Sequence, residues 1–352
     1  MLTLVPGGMG GSETYARALT GQLATTDAVS TTAFVPEAAR GFGNGLPEYI
    51  VSGIPAGGST TDRLRAVATL NLRAPSIRRA LSGVDVVHYP FTVPVPKPNR
   101  SQASVQSLLD VQHLELPHMF SKAELLYRKR YYEGFAKRAD AVITISDFAK
   151  RRMVELLGID ADRIHVAHLG VDTDRFTPNL GERENFVLYP ARGWPHKNHA
   201  TLIAGMEIAR KSNPELRLVL TGGGLGTLGD LPDWVDRKGL VSQDELLHLY
   251  RTAGALVFPS LYEGFGLPPL EAMASGCPVA VSNAGSLPEV VGDAAVLFDP
   301  HSPEAIAEGV SQALQKSDEL TAAGLQQVKK FTWERCLDVH LSAYADAVEV
   351  HG

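Results

Sequence analysis

Short apolar runs alternating with helix-patterned segments recur along this chain in two successive series, and that layout leaves few folds open. Apolar runs of strand length separated by helical patterns build parallel sheets covered by helices. The first series is LTLV (2–5), TTAFV (31–35), DVVHY (85–89), SVQSLL (104–109), AVITI (141–145) and RIHVA (163–167). The second is NFVLYPA (185–191), LRLVLTG (216–222), ALVFPS (255–260), PVAVS (278–282) and AAVLFD (294–299). Between them GVDTDRFTPNLGERE (170–184) is polar and turn-rich and reads as a hinge. At 352 residues the chain is also about twice a typical domain. We therefore expect an α/β protein of two Rossmann-like, doubly wound domains facing across a cleft. Their expected limits are residues 1–175 and 176–330, with a helical tail over 331–352. Only five residues precede Pro6, so the first strand is expected to be short and to lack its opening residues.

Composition narrows the function. An apolar fraction of 44% with 20% charged residues is ordinary for a soluble globular protein. A formal charge of −6 argues against a nucleic-acid partner held by bulk attraction. Cys277 and Cys336 make neither a disulfide framework nor a metal-ligand spacing, which suits a reducing cytosol. No apolar run approaches the roughly 20 residues of a membrane span, and no leader-like apolar segment is evident, so a cytoplasmic protein is expected. Residues 122–138 (KAELLYRKRYYEGFAKR) interleave Lys and Arg with Leu125, Leu126, Tyr127, Tyr131, Tyr132 and Phe135. This pattern suits a solvated helix with an aromatic core side, or peripheral contact with an anionic membrane face.

Ligands of doubly wound sheets sit beyond the carboxyl ends of the strands, so the loops there carry the argument. VPGGMGGSETY (5–15) sets Gly10 and Gly11 before a helix starting near Ser12, where backbone amides and the helix N-terminus favour an anion. It is not a dinucleotide fingerprint, because Glu13 stands at the third glycine position. Gly224-x-Gly226-x-x-Gly229 matches that fingerprint formally, but Pro232 argues against the helix that should follow. ARGWPHKNH (191–199) offers Arg192 and Lys197, a fork and a mobile ammonium suited to phosphate oxygens. Trp194 reads there as a hydrophobic anchor. EGFGLPPLE (263–271) brackets a glycine–proline turn with Glu263 and Glu271. With a helix starting near Pro268 or Pro269, Glu271 should occupy its first turn. DAD (160–162) and DTD (172–174) could hold a metal, but they fall in turns and are read as turn residues. His88, ending a strand, could line the cleft.

Taken together, PGGMGGSETYAR, DVVHYPFTVPVP, DVQHLELP, ADAVITISDFAKR, VAHLGVDTDRF, YPARGWPHKNH and LVFPSLYEGFGLPPLEAMASGCPVAVSNAGSLPEVVGDAA resemble the retaining glycosyltransferases of GT-B fold in family 4. The likeness runs nearly end to end, and the glutamate pair with its flanking FPS and LEAM is its most specific part. The resemblance implies that Glu271 binds a nucleotide ribose and Glu263 the donor sugar. Backbone amides of Phe265, Gly266 and Leu267 would hold sugar hydroxyls and the diphosphate. Arg192 and Lys197 would neutralise the leaving diphosphate, helped by amides at Gly10 and Gly11. The base would rest near KGLVS (238–242), against the main chain around Leu240 and Val241. A metal-independent transfer of a hexose or deoxyhexose from a nucleotide sugar to a saccharide, lipid-linked or small-molecule acceptor follows, with no cofactor beyond that donor.

One departure matters. Many members have His-Asp where this chain has Leu109-Asp110, and that histidine contacts the sugar's outer hydroxyl. Leu109 would suit a 6-deoxy donor, since an apolar wall leaves that hydroxyl without a partner. His113 either takes a polar, catalytic role in its place or only orders its loop. Other GT-B enzymes, such as a nucleotide-sugar epimerase or a phosphorylase, and a non-catalytic sugar-nucleotide binder are the alternatives. The extra acid/base groups of the first and the pyridoxal lysine of the second are not identifiable.

Overall fold

The computed structural model describes residues 1–57 and 59–352. By internal contacts the chain divides into two compact units, Met1–Leu169 with Trp333–Gly352, and Gly170–Thr332.

In the second unit six parallel strands form one sheet. They are β7 (Glu184–Pro190), β8 (Arg217–Thr221), β9 (Val235–Gly239), β10 (Ala253–Phe258), β11 (Val279–Ser282) and β12 (Val296–Phe298), in the spatial order β12-β11-β10-β7-β8-β9. The chain builds outward from β7 through β8 to β9, then returns to the other side of β7 to lay down β10, β11 and β12. The strand order therefore reverses between β7 and β10, the switch point at which such sheets bind ligands. Every residue of β10 and β11 is buried, the signature of a parallel sheet covered on both faces. β9, with Asp236, Arg237 and Lys238, is a charged edge strand that apolar patterning does not find.

The first unit contains β1 (Ala33–Pro36) paired with β2 (Glu48–Val51), and a separate parallel sheet β3 (Val86–Tyr89), β4 (Ala103–Ser107), β5 (Ala141–Thr144) and β6 (Ile164–Val166) in simple order. The strand expected at 2–5 is not formed. The backbone turns instead, Leu4 N–H donating to the Met1 carbonyl and Gly8 N–H to that of Val5, while Leu2 and Leu4 still bury their side chains. A turn satisfies amides that would otherwise need a ladder partner. Without a strand there, the β1–β2 pair and the four-stranded sheet stay separate ladders, and among the described residues the reversal of strand order is confined to the second unit.

The C-terminal helix Trp333–His351 packs on β4, β5, β6 and the helix Gly11–Thr25. Cys336, Ala343 and Ala347 meet Ala103, Val105, Ala141, Ile143 and Ala167, small side chains that let the helix lie close to the sheet. Beside this seam runs a line of hydrogen bonds. Tyr344 Oη lies 2.9 Å from His88 Nδ1, His88 Nε2 2.8 Å from Ser107 Oγ, and Ser107 Oγ 2.7 Å from Tyr15 Oη. Tyr15 Oη is 2.7 Å from His340 Nε2, and His340 Nδ1 is 2.7 Å from the Cys336 carbonyl. His88 is thus engaged on both ring nitrogens by the fold itself.

Candidate functional site

The loop after β7 is fixed from several sides. Tyr189, on β7, donates its hydroxyl to the Lys197 carbonyl at 2.6 Å, and Leu261 N–H donates to the His196 carbonyl at 2.8 Å. Asn198 adopts a left-handed conformation (φ 60°) and donates to the carbonyls of Pro259 and Pro300, at 3.1 and 2.7 Å. Asparagine tolerates that conformation better than other side chains with a Cβ. The loop thereby delivers Lys197 Nζ to Glu263 Oε1 at 2.5 Å, with side-chain exposures of only 12% and 14%. Removing one member of so sheltered a pair would leave the other charge poorly compensated. His196 and His199 flank the lysine. Burial, then the Lys197 charge, pushes both down to about 4, so they are neutral near pH 7.

Glu263 lies on the loop after β10, and that loop is pinned from the one after β11. The Ser286 hydroxyl is shared between the carbonyls of Glu263 and Phe265, at 3.0 and 2.7 Å. Gly285 (φ 64°) is required there, because a Cβ would stand 2.8 Å from the Glu263 nitrogen. Phe265 is buried edge-on against Phe331, so this residue turns main chain rather than side chain outward. Gly266 (φ 120°) then leads into the helix Leu267–Ala274. Glu271 is its fifth residue, in the second turn rather than the expected first, because the helix already starts at Leu267 and takes Pro268 into its first turn. The Tyr250 hydroxyl donates to Glu271 Oε2 at 2.8 Å. Burial pushes the Glu271 carboxyl up; the Tyr250 bond and the Arg175 charge oppose it.

The loops after β7 and β8 meet backbone to backbone. Ala191 N–H donates to Thr221 and Gly193 N–H to Gly223, at 2.8 and 3.0 Å. A Cβ on Gly222 would stand 2.3 Å from the Ala191 carbonyl oxygen, and one on Gly193 2.4 Å from that of Gly224. Half-buried Arg192 sets its guanidinium 5.3 Å from the Trp194 ring centroid. Trp194 is 48% exposed, so it is not the buried anchor expected; its face serves the arginine instead. Leu240 is 80% exposed just past β9, with Val241 half-buried beside it. Gly224–Gly229 contains only the 3₁₀ turn Leu225–Leu228, with no α-helix to receive a pyrophosphate.

The second unit thus brings Arg192, Lys197, Glu263, Phe265, Gly266, Leu240 and Val241 to the segments that follow the carboxyl ends of β7, β9 and β10, with Leu267 and Glu271 on the helix after β10. Gly10, Gly11 and His113 belong to the first unit. Gly10 precedes the helix Gly11–Thr25, whose first amides have no intrahelical acceptor, and Glu13 accepts from Gly7 N–H at 2.9 Å. His113 is buried. It is 1% exposed, packs edge-on to Tyr132, and its Nε2 lies 3.3 Å from Glu133 Oε1. Burial, then the Arg128 charge, pushes it down to about 4. The ring is enclosed by its neighbours, and its Nδ1 is buried without a hydrogen-bond partner among the described residues.

Residues 122–138 form helix Lys122–Arg128, a π turn Lys129–Glu133 and a last turn Gly134–Ala136. Tyr127 and Phe135 are core, Arg128 pairs with Glu124 at 3.0 Å, and Lys129, Arg130, Lys137 and Arg138 are exposed. Asp160 and Asp172 accept from backbone amides two residues on, as turn residues do. Among the described residues no helix is long and apolar enough to cross a membrane.

Sequence reasoning missed Tyr189, Asn198, Tyr250 and Ser286, which hold the site together. Asn198 alone left a local signal, an asparagine directly before a helical pattern.

Comparison with known proteins identifies the family and the fold. Residues 9–175 match the model of Glycosyltransferase Family 4, and residues 170–329 that of Glycosyl transferases group 1. The chain is 31% identical over 271 residues to the O-antigen chain mannosyltransferase B of Escherichia coli, covering 70% of this chain and 71% of that protein. It is 30% identical over 231 residues to the MMP alpha-(1->4)-mannosyltransferase of Mycolicibacterium hassiacum, covering 60% of this chain but only 56% of that protein. Among solved structures, sucrose-phosphate synthase from Thermosynechococcus elongatus superposes with a TM-score of 0.74 at 21% identity, over 96% of this chain and 93% of that one. Anabaena HepE in complex with UDP and glucose superposes with a TM-score of 0.70 at 18% identity, over 95% and 96%. The fold is GT-B, and the chain belongs to the group 1 glycosyltransferases of family 4.

Proposed function

We propose that this glycosyltransferase moves a hexose or deoxyhexose from a nucleoside-diphosphate sugar to an acceptor hydroxyl, with retention at the anomeric carbon and without a metal. The observation that carries the reading is the sheltered Lys197–Glu263 pair at the β7/β10 switch point, with Glu271 eight residues further on. Glu271 accepts the ribose hydroxyls and Glu263 a hydroxyl of the donor sugar. Main-chain amides at Gly266 and Leu267 meet the diphosphate. As the anomeric carbon–oxygen bond breaks, negative charge grows on the leaving diphosphate, and Lys197 and Arg192 supply the positive charge a divalent ion would otherwise bring. The acceptor oxygen forms its bond on the face the diphosphate leaves, and a diphosphate oxygen takes its proton. UDP and glucose in the HepE complex, and the mannosyl transfer named in the relatives, support a nucleotide-sugar donor and put mannose and glucose first among the sugars to try.

The test is release of nucleoside diphosphate from UDP-, GDP-, ADP- and dTDP-sugars, with and without EDTA, by the wild type and by Glu263→Ala. Turnover of one donor, indifferent to EDTA and lost in the variant, is expected. Turnover abolished by EDTA overturns metal independence alone. No turnover, together with no thermal stabilisation by any nucleoside diphosphate, overturns the whole reading. Product of inverted anomeric configuration overturns retention.

A further inference from the structure

Glu271 does not stand alone. Tyr250, on the helix Gln243–Thr252, has no exposed surface, and its hydroxyl reaches Glu271 Oε2 at 2.8 Å. The ring is held edge-on by Phe176, with centroids 6.0 Å apart, and Phe176 lies 5.4 Å from the Arg175 guanidinium. Arg251, the next residue of the same helix, donates Nε–H to the Thr177 carbonyl at 2.9 Å and a further N–H to the Thr177 hydroxyl. The segment carrying Arg175 and Phe176 is thereby fastened over Tyr250.

A phenol so placed has one use for its proton. Burial, then the nearby Glu271 charge, raises the Tyr250 hydroxyl well above its ordinary range, so it remains a donor. A carboxylate offers about four lone-pair positions on its two oxygens. Tyr250 takes one, and rotation of the carboxyl group would break that bond in a buried setting. The plane of the carboxylate, and with it the direction of the remaining lone pairs, is set from behind.

We infer that Tyr250 is a positioning residue that orients the Glu271 carboxylate to accept both hydroxyls of a ribose, so that the site selects ribonucleoside over dideoxyribonucleoside diphosphates. The inference rests on the ribose reading of Glu271. A simple packing role would support binding of both kinds of nucleotide equally. An orienting role is felt only where the hydroxyls are present.

The experiment measures dissociation constants of UDP, GDP and ADP and of their 2′,3′-dideoxy forms for the wild type and Tyr250→Phe, with unfolding midpoints alongside. For the nucleotide that binds, the wild type is expected to prefer the ribo form by about tenfold, the size of a hydrogen bond to a charged group. Tyr250→Phe should weaken the ribo form and leave the dideoxy form within about twofold, so the preference collapses. Phe176→Leu, which loosens the ring and keeps the hydroxyl, should give an intermediate ratio; it decides the matter if Tyr250→Phe does not fold. A preference unchanged in the variants overturns the role of Tyr250 and leaves the ribose reading standing. Equal weakening of both forms makes Tyr250 merely structural and overturns the inference. A wild type that binds both forms equally overturns the ribose reading of Glu271 and this inference with it.

Discussion

In the first unit, Tyr344, His88, Ser107, Tyr15 and His340 form a line of hydrogen bonds that ends on the Cys336 carbonyl; in the second, Lys197, Glu263 and Glu271 bring ionisable groups to a loop cluster at the strand ends. The direction of the first line can be worked out. A carbonyl only accepts, so His340 Nδ1 donates. Burial pushes His340 down to about 4, so its Nε2 is a bare acceptor near pH 7 and Tyr15 must donate to it. Ser107 then donates to Tyr15 and receives from His88 Nε2, which leaves His88 Nδ1 to accept from Tyr344. Each proton has one place, and Ser107 Oγ, Tyr15 Oη and both ring nitrogens of His340 are engaged. In the second unit, Lys197 Nζ meets Glu263 Oε1 and the Tyr250 hydroxyl donates to Glu271 Oε2, so each carboxylate is held through one of its oxygens by a residue distant in sequence. The first network is uncharged and internal to the fold; the second gathers charge where we propose that a ligand binds.

Breaking each region should therefore be felt in a different quantity. Lys197→Ala removes the charge facing Glu263 and should lower turnover by about 10²–10³-fold, the usual loss for one group stabilising transition-state charge. Turnover within about threefold of the wild type, measured as nucleoside diphosphate release, would remove the second unit's side of the contrast. Acid should act mainly on stability. His340 titrates at about 4 in the fold and about 6.5 when unfolded, so between these values the unfolded chain binds more protons. Its share, up to about 3 kcal/mol, is intact above pH ~6.5, declines as pH falls towards 4, and then levels off. Urea midpoints across that range should show a shallower slope in His340→Gln; an unchanged slope assigns the loss to other buried histidines. Tyr15→Phe strands Ser107 and His340 together and should cost about 1–3 kcal/mol, with kcat per folded molecule unchanged. A fallen kcat at an unchanged midpoint would join the two regions that we separate. Tyr344→Phe removes only the last bond of the line, the one to His88 Nδ1, and should cost about 1 kcal/mol. A larger loss than for Tyr15→Phe would reverse the gradient along the chain of bonds.

What the sequence discloses follows the range of the forces involved. Runs such as ALVFPS and PVAVS announce strands because a strand buried on both faces must be apolar throughout. Edge strands obey no such rule, so EYIV, half in solvent, and VDRKG, carrying three charges, passed unseen. LTLV misled in the opposite sense, being apolar enough to be buried yet lacking a ladder. The glutamate pair was legible because both residues and the turn between them are local. The partners that give each glutamate its character were not. Tyr250 lies 21 residues from Glu271, and Lys197 lies 66 from Glu263. The Tyr15–His340 contact spans 325 positions and leaves no pattern in either neighbourhood. His113 shows the same limit, since its burial against Tyr132 and Glu133 depends on how a later segment folds over it.

The interlocked glycines after β7 and β8 bear on anyone wishing to retarget this protein. With Gly193 and Gly222 each seated on the other loop's carbonyl, neither loop has room to be altered while its neighbour stays as it is. Grafting in a relative's 191–198 stretch alone would import a mismatch at 222–224. The two loops are a single cassette, to be exchanged whole or left untouched.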